Sequence, residues 1–582
     1  MEGLEITVLL GLTILAGTLL APRLRLALPL VLVVFGLLLG FVPALREVQL
    51  PPETVLLLFL PVMLFWESLT TSLRSIRRDF RYILPMSTLL VVASAFAVAG
   101  IGVLFGMPWE AALILGAAVA PPDATAVAAL GRLLPRRMFM KLKAESLTND
   151  GTALVLYAIA VSLAVGGNVT PLTVTWTVLV SYVGGVVAGA TIALLGYLLL
   201  RRTSATIVIN VTLLLVPFSA FLLAEIVHAS GVLAVVVAGL AVAYVSPRVT
   251  TASSRRQADA AWPFGVFVLN GALFVLIGLE VQYVMHEIPA ATVGRLVLVT
   301  LAVWAALLIV RFVFQLLSVP FQGRPQHPLP RGVRGRARVV STVAGIRGAV
   351  SLAIALSVPA TISDSGGAGR DEIVFVTAGV ILLSLLVQGP LLPAFVRWAR
   401  IPADHADDEE YELAERAISG AALAALDDLA AEHGVAQEIR DRVRSEGYLM
   451  LELANARSLA REQSLVDAEA QALDALLDEP DPLGDATGET VAADGTDMQK
   501  ADAVDGATLQ MIATSTDVDM VQRSPLVRHE EHTRLKLALL ERKREVLLSL
   551  RSAGTVDDLV VRRISARLDL EQVRLQGIEE LD

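Results

Sequence analysis

The sequence predicts an all-α polytopic membrane protein with a helical cytoplasmic tail, and three observations predict it. Of the 582 residues, 55% are hydrophobic and only 18% charged, with a mean hydropathy of +0.65; a soluble chain of that length would need several domains and far more polar surface. Residues 1–400 are a procession of apolar runs long enough to cross a bilayer, where a helix satisfies its own backbone. The charge changes sign near residue 400, from 17 acids and 28 bases before it (net +11) to 40 acids and 19 bases after it (net −21). The solvent changes there, so we read residues 1–400 as a transmembrane domain and 401–582 as an acidic helical domain in water. So acidic a tail repels phosphates, which excludes nucleic acid as its partner. With no cysteine in the chain, disulfides, thiolate metal sites and cysteine nucleophiles are excluded as well.

Hydropathy marks thirteen spans, at about 5–20, 26–43, 52–67, 82–105, 108–130, 144–166, 173–199, 205–228, 231–246, 263–282, 293–318, 338–358 and 372–397. The first lacks a basic leading segment and reads as a retained span, not a cleaved signal. Alternate loops hold Arg23, Arg74/Arg77/Arg78/Arg81, Arg132/Arg136/Arg137, Arg201/Arg202, Arg255/Arg256 and Arg331/Arg334/Arg336, whereas the other set has little beyond Arg46, Arg295 and Arg370. Bases are retained on the cytoplasmic side, so the N-terminus is expected outside and the tail in the cytoplasm.

Six acids do not fall plainly in loops: Glu67, Asp123, Glu145, Asp150, Glu225 and Glu280. An ionised carboxylate at mid-span costs roughly 2.5–3.5 kcal/mol even on the lenient scale, so such groups tend to face the bundle interior and carry function. Asp123 follows Pro121-Pro122 inside the fifth span. Those prolines have no N–H, which strips the Ala117 and Ala118 carbonyls of helical partners, and the span should break there. Broken backbone at membrane depth is tolerated where it lines a polar cavity, and its oxygens suit a hard monovalent cation.

The sixth span opens Glu145-Ser146-Leu147-Thr148-Asn149-Asp150. Four-residue spacing puts Ser146 with Asp150 on one stripe and Glu145 with Asn149 on another. One stripe can hold an ion while the other is tied down by a cation, for which Arg347 is the intramembrane candidate. Arg347 lies between Gly345 and Gly348 in the twelfth span, and those glycines weaken its helix. Two inverted six-span repeats separated by the seventh span would make the interrupted fifth and twelfth spans equivalent, the sequence pointer to a transporter site at the midplane.

At these residues the chain resembles bacterial sodium/proton antiporters of the NhaP type, within the superfamily that includes the animal exchangers. The resemblance rests on Pro121-Pro122-Asp123-Ala124, Glu145 to Asp150, Ala224 to Gly231 and Gly345 to Ser351, in that order over most of residues 1–400. It implies exchange of Na+ (or Li+ or K+) for H+, with Asp150 and Asp123 as the cation and proton carboxylates and Ser146 and the Pro122 carbonyl as further ligands. Glu145, Asn149 and Arg347 would form a supporting cluster, Glu67 would approach the ion through water, and Glu225 would sit near an outer cavity. Many relatives have Thr-Asp-Pro where this chain has Pro122-Asp123-Ala124, so a threonine ligand is missing and Thr125 is the candidate substitute. Asn149 beside Asp150 resembles the electroneutral subgroup. A homodimer in the bacterial plasma membrane is implied, with no cofactor, no organic substrate and no enzymatic activity.

Two rivals share parts of this pattern. A proton-uncoupled cation channel would have the same broken helices without counterflux of protons. An intramembrane aspartyl protease would use two membrane aspartates, but the chain has no Gly-x-Gly-Asp motif.

In the tail, helix-period residues Leu423, Leu426 and Leu429 and then Leu535, Leu540 and Leu547 flank a segment at 479–519 poor in large apolar residues, a flexible linker by composition. Ser524-Pro525 should start one helix, and Thr555 with Asp558 three later should open another, to about Leu575. The tail has no Gly-rich nucleotide fingerprint, and His405, His433, His529 and His532 read as solvated helix surface.

Overall fold

Apolar runs with no water to satisfy their backbone become helices, and every regular element among the described residues is helical. The computed structural model describes residues 2–24, 26–42, 52–123, 127, 134–166, 170–318, 331–359, 369–401, 406–477 and 525–577. Among these, nine helical stretches are long and apolar enough to cross a membrane, and three shorter apolar helices accompany them. In chain order the helices are α1 (Glu2–Leu24), α2 (Leu28–Leu39), α3 (Pro52–Leu69), α4 (Leu73–Ser87), α5 (Leu89–Leu104), α6 (Trp109–Val119), α7 (Arg136–Ala164), α8 (Pro171–Leu179), α9 (Gly185–Leu200), α10 (Thr206–Ile226), α11 (Gly231–Val249), α12 (Ala252–Glu287), α13 (Ala290–Leu317), α14 (Arg331–Val343), α15 (Ala349–Leu356), α16 (Arg370–Leu383) and α17 (Gly389–Ala399). One π-turn, Val180–Gly184, joins α8 to α9, and a second, Ser384–Gln388, joins α16 to α17.

The hydropathy boundaries err mainly toward one end. The run expected at 144–166 belongs to a helix that starts at Arg136, and the one at 263–282 to a helix that starts at Ala252. Polar and basic turns extend these helices beyond any apolar window, because helix formation needs no apolar face once tertiary contacts support it.

Two apolar cores organise these helices. One gathers α5, α6, α7, α13, α15 and α16, with α2 and α12 packed into it. The other is built from Leu60, Leu64 and Phe65 of α3 with residues of α9, α10 and α11, while Phe59 and Met63 of the same helix belong to the first. Close approach rests on small residues, as in other membrane bundles: Gly36 of α2 and Gly278 of α12 meet backbone to backbone, and a Cβ on either would strike the other helix. Leu194, Leu195, Leu214 and Leu215 are exposed on α9 and α10, as apolar residues facing lipid should be.

The described residues form two compact units. The first is Met1–Asp407 together with Asp557–Asp569, and the second is Asp408–Val556 with Leu570–Asp582. In the second unit, α18 (Ala406–Ala424), α19 (Leu426–Glu432), α20 (Gln437–Leu477) and α21 (Pro525–Ser552) share a core of Leu426, Ile439, Val443, Leu535 and Leu539. The stretches on either side of the compositional linker therefore pack as one body. The linker at 479–519, like Ser524, lies outside the described residues. The last helix, α22, spans Asp558–Gln576; its cap is Asp557, whose Oδ1 accepts the Leu559 amide at 3.0 Å, and not Thr555.

Candidate functional site

The fifth apolar run breaks where its prolines require. Helix α6 ends at Val119, Pro122 and Asp123 follow in non-helical backbone, and the twelfth run breaks likewise between α14 and α15. The two breaks cross. The Asp123 amide donates to the Ile346 carbonyl at 2.8 Å, so each interruption satisfies a group the other leaves open. Asp123 lies against Gly348, where a Cβ would overlap its carboxylate. Because Gly348 caps α15, that carboxylate faces the partly positive start of a helix.

Helix α7 brings the second set of groups to this crossing. Glu145, Ser146, Asn149 and Asp150 are all buried, as are Asp123, Arg347 and Glu67 of α3. Asp150 lies within electrostatic reach of Asp123 and Glu67, and Glu67 within reach of Lys143. The two stripes of α7 separate as the spacing requires. Asn149 Nδ2 donates to the Pro122 carbonyl at 3.0 Å, which fixes the broken strand and leaves that oxygen a second lone pair.

The cation opposite Glu145 is Arg311, where the sequence pointed to Arg347. Its Nη1 and Nη2 both donate to the Glu145 carboxylate, the second at 3.0 Å, and its Nε donates to the Ser341 carbonyl at 3.1 Å. Arg311 was hidden by its setting, Leu308-Ile309-Val310-Arg311-Phe312-Val313, in which one charge barely lowers the average hydropathy. A signal was nevertheless present, since a lone arginine in so apolar a run needs a buried acid. Arg347 takes another position. Its amide donates to Ser384 Oγ at 3.3 Å in the π-turn, and the residue lines a small cavity together with Arg311, Trp304 and Gln388. Its Nη1 has no hydrogen-bond partner among the described residues. The Gln388 amide, oriented as its neighbours demand, donates to the Val343 carbonyl at 3.2 Å and accepts from Trp304 Nε1 at 3.0 Å.

Thr125 lies outside the described residues. Glu225 is exposed near the end of α10, just before His228 turns the chain with φ +54°, and this sets it off from the buried group.

Crossed helix interruptions with buried carboxylates at the crossing define a secondary transporter of inorganic cations, for which backbone and carboxylate oxygens are suitable ligands. The sequence comparisons identify which kind. The family described as sodium/hydrogen exchanger, transmembrane, matches residues 10–398, and the chain belongs to that family, as an NhaP-type cation/proton antiporter of the membrane. It is 38% identical over 581 residues to an uncharacterised Na+/H+ exchanger of Mycobacterium tuberculosis, covering 98% of this chain and 96% of that one. To the Na+/H+ antiporter ApNhaP of Aphanothece halophytica it is 30% identical over 391 residues, 66% of this chain and 71% of that one. In fold it is similar to the sodium proton antiporter MjNhaP1 of Methanocaldococcus jannaschii, with a TM-score of 0.50 at 18% identity, covering 68% of this chain and 99% of that one.

Proposed function

We propose that the chain exchanges one monovalent cation, Na+ first, for one proton across the bacterial plasma membrane, with both ions competing for Asp150 and Asp123. The observation that carries this reading is the crossing itself, where the Asp123 amide meets the Ile346 carbonyl and α7 delivers buried Ser146 and Asp150 beside it. A carboxylate can hold a proton or a cation but not both, which couples the two fluxes. Ser146 Oγ, the second lone pair of the Pro122 carbonyl and the two aspartates supply oxygen ligands, and Glu67 lies within electrostatic reach of both aspartates.

Asn149 in place of a second acid beside Asp150 resembles the electroneutral subgroup, and this supports a one-for-one exchange. The nine long stretches, the three shorter apolar helices and the broken α14–α15 pair together support thirteen spans, arranged as two inverted repeats with the N-terminus outside. The family resemblance further supports a homodimer.

The test is proton release from acid-loaded proteoliposomes on adding Na+, Li+ or K+ in turn, for the intact chain and for Asp150→Asn. Cation-dependent alkalinisation that vanishes in the variant supports the reading and ranks the cations. Cation flux without protons points to a channel, and undiminished exchange by the variant removes Asp150 from its central place.

A further inference from the structure

Glu280 is an intramembrane acid that the crossing does not use. Its direction on α12 follows from its neighbours. Gly278 lies against the backbone of α2, and the Gln282 side chain lies where a Cβ on Gly40, just past α2, would be. Two residues from each, Glu280 sits roughly 160° around the helix from both, on the flank turned away from α2. That helix also packs on α15 and α16, and Glu280, half-buried, lies within electrostatic reach of Arg370 and Asp371 at the start of α16.

Two helices of the crossing lead from the aspartates to the same place. Helix α15, capped by Gly348 beside Asp123, runs eight residues, about 12 Å, to Leu356, whose carbonyl accepts a hydrogen bond from Arg370 Nη2 at 3.3 Å. On α7, Tyr157 follows Asp150 by seven residues, which puts it on the same stripe and about 10 Å further along. It too lies within electrostatic reach of Arg370. Leu154 of α7 and Val350 of α15 each pack against both apolar cores, so the seam between the cores runs past these two helices. Because α7 begins with the basic turn Arg136-Arg137, Tyr157 belongs to the end away from the basic loops. Of the other charges at this end, Arg295 is taken up by Glu372 and by the Phe105 carbonyl at 3.4 Å.

We propose that Glu280 is the steering carboxylate of the outer mouth, whose charge draws the exchanged cation to the seam beside Tyr157 and Arg370, from which it passes to Asp150 and Asp123. This rests on the antiport reading above. A carboxylate half-buried among apolar helices keeps more of its field than one in water, and a focused field raises the local concentration of the opposite charge. The guanidinium of Arg370 competes with the arriving cation, which keeps the mouth from retaining it. Glu280 takes no part in the exchange itself. It sets the concentration at which the cation half-saturates the outer face, and not the maximal rate.

The test uses the full-length protein in acid-loaded membrane vesicles, right-side-out and everted, so that added Na+ meets the outer face in the first and the cytoplasmic face in the second. Glu280→Gln should raise the half-saturating Na+ concentration several-fold in right-side-out vesicles. In everted vesicles it should leave that concentration unchanged, and in both the maximal rate should stay near the parental value. The chain has no cysteine, so Glu280→Cys can be given back a charge without background. A negatively charged, membrane-impermeant methanethiosulfonate should restore the parental half-saturation, and a positively charged one should raise it further. A merely structural role would respond to the size of the adduct and not to its sign. Equal effects of the two reagents, no reaction with either from outside, a shift in both vesicle types or in the everted type alone, or a lower maximal rate at unchanged half-saturation overturns the steering role. If the parental chain drives no exchange in either vesicle type, the antiport reading fails and the steering role with it, whereas parental exchange with an unshifted Glu280→Gln protein overturns the steering alone.

Discussion

Gly348 has φ −130° and ψ −162°, extended backbone that any residue adopts, so its role is one of space. The Asp123 carboxylate occupies the volume that a Cβ would take. Overpacking by one methyl in a tight interior costs about 1–3 kcal/mol, and here the displaced group is a proposed ion ligand. Gly348→Ala should therefore lower the exchange rate roughly tenfold or more, in keeping with 1.36 kcal/mol per decade. Gly332→Ala, where nothing lies within 4 Å, should leave it unchanged. Equal rates for the two variants in the proteoliposome assay would mean that Asp123 need not hold this position. At this scale Asp123, Glu145 and Asp150 were legible because an acid in an apolar run is anomalous on any hydropathy scale. Their partners were legible only where chain spacing fixes direction, as on the two stripes of α7. Which of two arginines faces Glu145 depends on how α13 and α14 pack, and no local pattern encodes that. Arg311 and Glu145 are 166 residues apart.

Elements were legible where a residue type forces the backbone. Pro121-Pro122 ends a helix by chemistry alone, and α6 stops at Val119. The helical starts at Arg136 and Ala252 were missed because a polar turn carries no hydropathy signal. In the tail, the helix-period leucines mark the buried faces of α19 and α21, yet composition gave no reason to expect them in one core. That core carries a titration. A hydrogen bond from Lys536 to Glu446 at 2.7 Å, outweighing partial burial, holds the Glu446 carboxyl below its usual range. Burial and the neighbouring Lys536 charge push the His532 imidazole down from its ordinary value. Both groups bind protons less readily folded than unfolded, so both contribute stability that is lost as the pH falls, His532 first, below about 6.5, and Glu446 below about 4.3. Hydrogen exchange of α20 and α21, corrected for intrinsic rate, should be faster at pH 5.5 than at pH 7.5, with His532→Gln reducing the difference. Equal protection at the two values would show that this histidine does not hold the unit together.

For the whole molecule, the question is what charge moves. Na+ and H+ carry the same charge, so in the one-for-one exchange proposed here either bound ion leaves the same net charge on whatever part moves. A cycle that carried one elementary charge through the membrane would feel about 2.3 kcal/mol for each 100 mV, enough to change a single rate-limiting step about fifty-fold. A neutral exchange feels none of it. Imposing a diffusion potential of about 100 mV of either sign on the proteoliposomes should thus leave the initial rate of cation-dependent alkalinisation within about twofold of its value at zero potential. A rate that rises with one polarity and falls with the other would mean that the cluster cycles through unequal charge, and that another ionisable group changes protonation together with Asp150 and Asp123. Lys143 would be the first to examine, because it is bonded to Thr70 at 2.6 Å and lies within electrostatic reach of Glu67.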